Sequence, residues 1–431
     1  MSRYVIVISE DAMVYEDLET LRRLPNFGQI WDQCARVNRV RSVYPTITYP
    51  AHATMMTGVY PDRHGIVNNE ISTIGEIGSA WEWFADALRA PTVFDAAKRA
   101  GLSTAAVFWP VTGNHPAIDY LIDEYWPQRH GETSREAFLA SGTTEEVARQ
   151  IVDPNLHLLV DRAHPEADAF VHACACAMIR EYRPNLLMLH PANIDAYRHE
   201  TGVFSDKVTH ALHEIDAWLG DILRATKNAG IYDDTDFFIV SDHGQMNVQR
   251  SIALNALLRE AGLIETDSDG NFRDYTAFVK SCALSAQVYL KDPSDAEAYN
   301  RVYALLRHWC DEGIYGISRV YTAREAREEE HLAGEFSFVL ESDGFTTFSN
   351  DWNRPLVRPL TNADYRFGRA THGYQPDKGP QPTLLAFGPD IQPGAVIDRA
   401  ALVDEAPTFA RALGVPMPDT DGRALTALFR R

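Results

Sequence analysis

Short unbroken apolar runs alternate along the chain with longer stretches whose apolar residues recur every three or four positions. The run Tyr4-Val5-Ile6-Val7-Ile8 and those over 104–109, 186–190, 237–241 and 383–387 have strand length, and predict strands buried on both faces. Between them, Val208, Leu212, Ile215, Leu219 and Ile222 draw one apolar stripe down a helix from about Ser205 to Asn228, with Gly230 as its stop. A second helix over 93–100 closes at Gly101, just ahead of the strand at Thr104. Strands alternating with amphipathic helices predict an α/β core: a mostly parallel sheet flanked by helices.

From about Leu257 to Asp364 the pattern differs. It holds one β-like piece (286–290), a helix (297–309) and a charged run (324–331) that reads as a solvated helix face. The alternation resumes after Asp364. The chain therefore divides into a core of residues 1–256 and 365–431 and an inserted, smaller α+β subdomain over 257–364.

Composition narrows the function. Hydrophobic residues are 45% and charged residues 23%, which is ordinary globular composition. Sixty acidic against forty basic residues leave a net charge of −20, so nucleic-acid polymers and anionic membranes are not expected partners. If the substrate is a phosphate compound, metal ions are the obvious source of positive charge. Five scattered cysteines (Cys34, Cys174, Cys176, Cys282, Cys310) read as free thiols, and Cys174-Ala175-Cys176 lacks the second pair of a structural zinc site. With no signal-peptide core and no eighteen-residue apolar run, a soluble cytoplasmic protein is expected, with homo-oligomerisation left open.

Several chemistry-bearing groups fall just after expected strands, where α/β sheets collect ligands. Asp11 follows the first strand, Asp195 the strand at 186–190, and Asp242-His243-Gly244 the strand at 237–241. Asp195 and His199 are four apart, so one helical turn aims both to one face; by spacing alone an ordinary exposed polar pair is the commoner outcome. His372, beside Gly373, precedes another strand. Carboxylates and imidazoles without thiolate suit zinc or another first-row divalent ion. In Tyr44-Pro45-Thr46-Ile47-Thr48-Tyr49-Pro50-Ala51-His52, Pro50 is placed like a first-turn proline and Gly58 like a helix terminator. Thr48 then sits at or next to the N-cap, as a capping threonine or as a nucleophile; spacing leaves both open.

Taken together, Pro45-Thr46-Ile47-Thr48-Tyr49-Pro50, Thr57-Gly58-Val59-Tyr60-Pro61 and His64-Gly65-Ile66-Val67-Asn68-Asn69 closely resemble the nucleophile region of nucleotide pyrophosphatase/phosphodiesterases. These are the type I phosphodiesterases of the alkaline phosphatase superfamily. Asp11, Asp195-x-x-x-His199, Ser241-Asp242-His243-Gly244, Thr371-His372-Gly373-Tyr374 and Trp109-Pro110 follow in the family's order. The resemblance implies an alkaline-phosphatase-like core with two zinc sites: Asp195, His199 and His372 for one, and Asp11, Asp242, His243 and the Thr48 oxygen for the other. It further implies attack by Thr48 to give a phosphothreonine, with Asn69 and the Tyr49 N–H holding a phosphate oxygen. Departures are Ala51, Ala12 and Arg198, where the family more often has Asn, Gly and Gly; none removes a ligand.

The expected activity is hydrolysis of a small phosphodiester, pyrophosphate or nucleotide. A phosphonoacetate hydrolase or phosphomonoesterase would use the same centre, but the stretch Val111-Thr112-Gly113-Asn114-His115 offers no lysine for a carboxylate. A sulfatase is excluded, because Cys34-Ala35-Arg36 is not its modified-residue sequence. A non-catalytic binding protein on this fold would not need every ligand position filled. Tyr49, and then the cluster Trp81-Glu82-Trp83-Phe84, are candidates for the surface on which a diester's second substituent rests.

Overall fold

The computed structural model describes residues 3–430. Its centre is an eight-stranded sheet built from β1 (Tyr4–Ser9), β2 (Ala35–Arg41), β3 (Thr104–Val107), β4 (Tyr120–Ile122), β5 (Leu186–Leu189), β6 (Thr235–Val240), β7 (Leu384–Phe387) and β8 (Val396–Ala401). The spatial order is β8-β2-β7-β6-β1-β5-β3-β4. Every neighbouring pair is parallel except those of β7, which runs against β2 and β6. The five expected apolar runs all fall on this sheet. β2 and β8, which alternate or expose their side chains near one edge, and the three-residue β4 lack such a run.

Successive side chains of a strand point to opposite faces, so β1 feeds two separate cores. Val5 and Val7 pack beneath α1 (Thr48–Thr57), α2 (Val93–Arg99) and α6 (Glu405–Leu413). Ile6 and Ile8 pack beneath α3 (Glu166–Glu181), α4 (Asn193–Thr201) and α5 (Asp206–Ala229). α5 is the helix expected from the long apolar stripe. The Ser205 side chain caps it by accepting from the Val208 N–H, and Gly230 ends it in the left-handed conformation that only glycine adopts without strain.

The inserted segment forms its own four-stranded antiparallel sheet, in the order Ala277–Ser281, Ser285–Leu290, Phe338–Ser342, Ile317–Thr322. The helix Ala296–Glu312 backs it over a separate apolar core. That core also takes in Ile252, Leu254 and Leu258, so the packing of the insertion begins ahead of residue 257. The charged run forms the helix Ala323–Glu330, mostly exposed, with Ala326 buried and Glu330 buried and bonded to Arg41 at 2.8 Å. All five cysteines are free, and no helix among the described residues is long and apolar enough to cross a membrane.

Candidate metal centre

The carboxyl ends of β1, β5 and β6 converge with the start of α1. Asp11 leaves β1, Asp242 and His243 leave β6, α4 carries Asp195 and His199, and His372 follows the short strand Ala370–Thr371. Ligand-type atoms of Asp11, Asp242 and His243 lie within 4.8 Å of one another, and so do those of Asp195, His199 and His372. The two groups abut, with the His243 and His372 rings stacked 4.1 Å apart.

Local backbone chemistry sets this convergence. Ala12 has φ 58°, a left-handed turn that swings the chain away from β1 and aims its N–H at Asp242 Oδ1 (3.2 Å). A glycine would hold that turn without strain. Gly244 follows His243 because a Cβ there would lie 2.2 Å from the Pro380 carbonyl oxygen. On α4 the four-residue spacing puts Asp195 Oδ2 3.0 Å from His199 Nε2. Arg198 points elsewhere: it is fully buried and bonds Asp17 Oδ2 at 2.5 Å, tying α4 to the chain after β1. Ala51, on α1, is buried in the core, so of the three departures only Ala12 touches a ligand group, and it does so through its backbone N–H.

The donor set fits divalent cations. Asp11 Oδ1, Asp242 Oδ2 and His199 Nε2 are buried with no hydrogen-bond partner. Protein interiors rarely leave such atoms unpaired, because each costs about 1–3 kcal/mol. His199 Nδ1 donates to the Ala370 carbonyl at 2.7 Å, which leaves its Nε2 lone pair for an ion. Burial, reinforced by Asp195, pushes Asp11 well above the usual carboxylate range, and burial with Asp11 does the same to Asp242. Burial holds His243 and His372 well below the usual imidazole range, which favours the neutral form a metal ligand needs. Burial works against a charged Asp195, but the facing His199 outweighs it and the carboxyl is pulled down. Crowded carboxylates with imidazoles and no thiolate make a donor set that suits a divalent ion.

Thr48 is the first residue of α1, with Ile47 as the extended N-cap, and its Oγ1 lies 3.2 Å from His243 Nε2. The Tyr49 N–H donates to Asn69 Oδ1 at 2.9 Å. The Tyr49 N–H and Asn69, expected to face one phosphate oxygen, are thus brought together and bond each other. The amide oxygen occupies that N–H, and Asn69 Nδ2 is the donor left over.

A cavity of about 410 Å³ opens over the centre, with Asp11, Thr48, Asn69, Asp195, His199 and His372 in its wall. Trp81 and Tyr365 line it too, in edge contact at 5.8 Å. Tyr49 does not. Its ring is fully buried behind Trp81 (5.2 Å), and its hydroxyl donates to Glu124. As residues one and two of a helix point in directions about 100° apart, Thr48 facing the centre turns Tyr49 into the core. The aromatic wall is made of Trp81 and Tyr365 together with Trp83, Phe108 and Trp126, and not of Tyr49.

The type I phosphodiesterase/nucleotide pyrophosphatase family profile matches residues 5–375. The chain belongs to this family. Human ectonucleotide pyrophosphatase/phosphodiesterase family member 1 is 23% identical over 381 residues, 78% of this chain and 37% of the relative. Venom phosphodiesterase CdcPDE of Crotalus durissus collilineatus is 23% identical over 236 residues, 52% of this chain and 24% of the relative. The chain spans well under half the length of these curated relatives. Murine ectonucleotide pyrophosphatase/phosphodiesterase 5, solved as an inactive variant in complex with AMP, has the same fold: TM-score 0.69, 19% identity, 99% of this chain and 100% of that one covered.

Two histidines of this family member escaped the sequence reading. His190 directly follows β5, and its Nε2 donates to Asp11 Oδ2 at 3.0 Å, leaving Oδ1 for an ion. Its position at a strand end was the available signal. His52, one turn after Thr48, donates from Nδ1 to the Thr48 carbonyl (2.8 Å) and accepts from Ser9 Oγ at Nε2 (2.9 Å). It braces the first turn of α1 against β1. Its four-residue spacing from Thr48 carries that signal. Arg162, whose guanidinium lies over Trp126 at 5.4 Å, and Glu124 also line the cavity; they come from loops with no pattern to mark them.

Proposed function

We propose that this protein is a metal-dependent hydrolase of phosphodiester or pyrophosphate bonds in small molecules such as nucleotides, working through a phosphothreonine at Thr48. The observation that carries the reading is the position of Thr48 Oγ1, 3.2 Å from His243 Nε2 at a buried helix N-terminus beside both ligand groups. Asp195, His199 and His372 would hold one zinc ion, and Asp11, Asp242 and His243 the other, with Thr48 as a further ligand. When bound, two such ions supply Lewis-acid polarisation of phosphoryl oxygens and lower the pKa of a bound hydroxyl or water.

The chain's own residues then divide the work. Thr48 Oγ gives its proton to solvent as its bond to phosphorus forms, while the bond to the leaving alcohol or phosphate breaks and that group takes up a proton from solvent. Asn69 Nδ2 donates to a non-bridging oxygen, and the positive end of α1 favours the charge gathered there. His52 and His190 fix Thr48 and Asp11 so that neither must reorient during attack. Water then cleaves the Thr48–phosphate ester, releasing a monoester and restoring the hydroxyl. Trp81 and Tyr365 offer the surface for an aromatic or nucleoside substituent.

Arg162 gives a second reading some weight. The lysine absent from the segment after Trp109 has a cationic substitute in the cavity wall, where it could face a substrate carboxylate such as that of phosphonoacetate. A panel assay of the zinc-loaded enzyme separates these. An aryl phosphodiester or a nucleotide pyrophosphate should be turned over with the highest kcat/KM, and aryl monoester and phosphonoacetate with far lower values. No turnover of any diester or pyrophosphate would refute the first reading. Cytoplasmic residence is a further proposal, resting on the five unpaired cysteines; recovery from the soluble cell fraction tests it.

A further inference from the structure

A chain of alternating charges, buried but for its last member Asp364, joins the inserted subdomain to the cavity wall. Lys280, on the strand Ala277–Ser281, has a fully buried side chain, and its Nζ donates to Ser79 Oγ (2.9 Å) and the Thr73 carbonyl (3.3 Å). It also lies 3.7 Å from Glu70 Oε2. Glu70, 5% exposed, pairs through Oε1 with Arg366 Nη1 at 3.1 Å. Arg366 in turn forks onto Asp364, with Nε to Oδ1 at 2.9 Å and Nη2 to Oδ2 at 2.5 Å.

Each link sits beside a cavity residue. Glu70 follows Asn69 and bridges Trp81 in antiparallel pairing, and the Glu82 N–H donates to the Asn69 carbonyl at 2.9 Å. Arg366 follows Tyr365, and Asp364 itself lines the cavity. The loop between Glu70 and Trp81 has no regular secondary structure. Contacts from the insertion grip it: Lys280 at Thr73 and Ser79, and Asn350 Nδ2 at the Ile77 carbonyl (2.8 Å). Burying the charges of Lys280, Glu70 and Arg366 is expensive unless each is paired, and the part-exposed Asp364 closes the series, so a chain of this kind holds its elements in one arrangement or loses that arrangement altogether.

We propose that the inserted subdomain sets the substrate-binding wall of the cavity through the chain Lys280–Glu70–Arg366–Asp364, with Lys280 and Glu70 acting as positioning residues for Trp81 and Tyr365. The proposal rests on the reading of this cavity as the substrate site. It predicts a division of labour. Asn69 is pinned separately to α1 by the Tyr49 N–H, so Thr48 and Asn69 keep their relation when the chain is cut. Trp81 and Tyr365 make ring contacts with Tyr49 (5.2 Å) and His372 (5.4 Å) but no side-chain hydrogen bond to α1. Cutting the chain should therefore weaken substrate binding more than it slows chemistry.

The test compares wild type, Lys280→Met and the double variant Glu70→Gln/Lys280→Met, all loaded with zinc, on bis(4-nitrophenyl) phosphate. Lys280→Met strands the Glu70 charge, whereas the double variant removes the stranded charge and leaves Arg366 paired with Asp364. Lys280→Met should raise KM about tenfold with kcat within threefold, and the double variant should return KM to within threefold of wild type. Amide hydrogen exchange over 70–82 and 364–367 reads the same network without turnover, and should rise in Lys280→Met and recover in the double variant. If wild type fails to hydrolyse the diester but exchange follows this pattern, the functional reading falls and the positioning chain stands. KM and exchange unchanged in Lys280→Met would overturn the proposal. So would equal losses of KM and kcat performance that the double variant does not restore, since these mark mere destabilisation.

Discussion

Asn69 Oδ1 accepts the Tyr49 N–H at 2.9 Å, and this one hydrogen bond decides which end of the amide faces the centre. A backbone N–H can only donate, so the oxygen must turn to the helix and the NH₂ away from it. Asn69→Asp tests the consequence. The carboxylate can still accept from Tyr49, but it offers an acceptor where Nδ2 offered a donor. Loss of kcat/KM by about 10²–10³, the usual cost of one oxyanion donor, is expected with the fold retained. Asn69→Ala should lose a similar amount. Steady-state kinetics together with a thermal melt checks both.

The aromatic wall gives a substrate preference. A monoester dianion usually requires an arginine or third metal on its extra charged oxygen, and this chain presents the neutral Asn69 there. A diester has one charge fewer and one substituent more, for which Trp81 and Tyr365 provide surface. The kcat/KM for an aryl diester should exceed that for the matching monoester. Trp81→Ala should raise KM for the diester by up to roughly tenfold, in line with the ~0.5–1.5 kcal/mol of one aromatic contact. Tyr49→Phe should leave KM within about twofold and cost about 1 kcal/mol of stability through its lost bond to Glu124.

Acid stability turns on a histidine outside the centre. His64 is fully buried; its Nε2 donates to Thr54 Oγ1 (2.9 Å), and its Nδ1 accepts the Ile66 N–H (3.1 Å). Burial pushes its pKa down to about 3 from an ordinary 6.5. Between those values the unfolded chain binds a proton that the folded one refuses, so stability falls as pH drops through this window and is unaffected above it. The contribution is about 1.4 kcal/mol per pH unit. Urea unfolding at pH 7, 6, 5 and 4 should show the decline, and His64→Gln should make it shallower by that amount.

Removal of metal should be felt in the fold as well as in the activity. With no ions bound, Asp11 and Asp242 are carboxyls whose burial already favours the protonated form. Chelation should therefore abolish turnover and lower Tm by several degrees, because ions that bind only the folded chain stabilise it by about 4 kcal/mol at a thousandfold excess over Kd. Zinc should restore both, and elemental analysis of the loaded protein should find close to two ions per chain.

Much of the core was legible because burial on both faces writes continuous apolar runs, as at Val5–Ile8 in β1 or Phe237–Val240 in β6. β8 was not, since its edge position leaves Asp398 and Arg399 exposed. The reversed direction of β7 leaves no trace in its residues. In the inserted sheet only the piece over 286–290 stood out, because Lys280 and Glu341 interrupt the apolar pattern of two other strands with buried polar groups. Both ligand groups were legible through their place after strands and their family pattern. Tyr49 was misjudged because proximity in sequence to Thr48 says nothing about direction on a helix. The bonds of His52 to Ser9 and of His190 to Asp11 cross 43 and 179 residues, so the sequence marks only the four-residue step from Thr48 to His52 and the strand-end place of His190.

The central claim is that Thr48 itself becomes phosphorylated. Zinc-loaded enzyme is mixed with bis(4-nitrophenyl) phosphate, quenched in acid within a turnover, digested and read by mass spectrometry. The account predicts phosphate on the peptide holding Thr48, no such peptide from Thr48→Ala, and loss of most turnover in Thr48→Ala with its metal content retained. Thr48→Ser should keep part of the activity and carry the label. Near-wild-type turnover by metal-loaded Thr48→Ala would contradict the account, because water would then be the direct nucleophile.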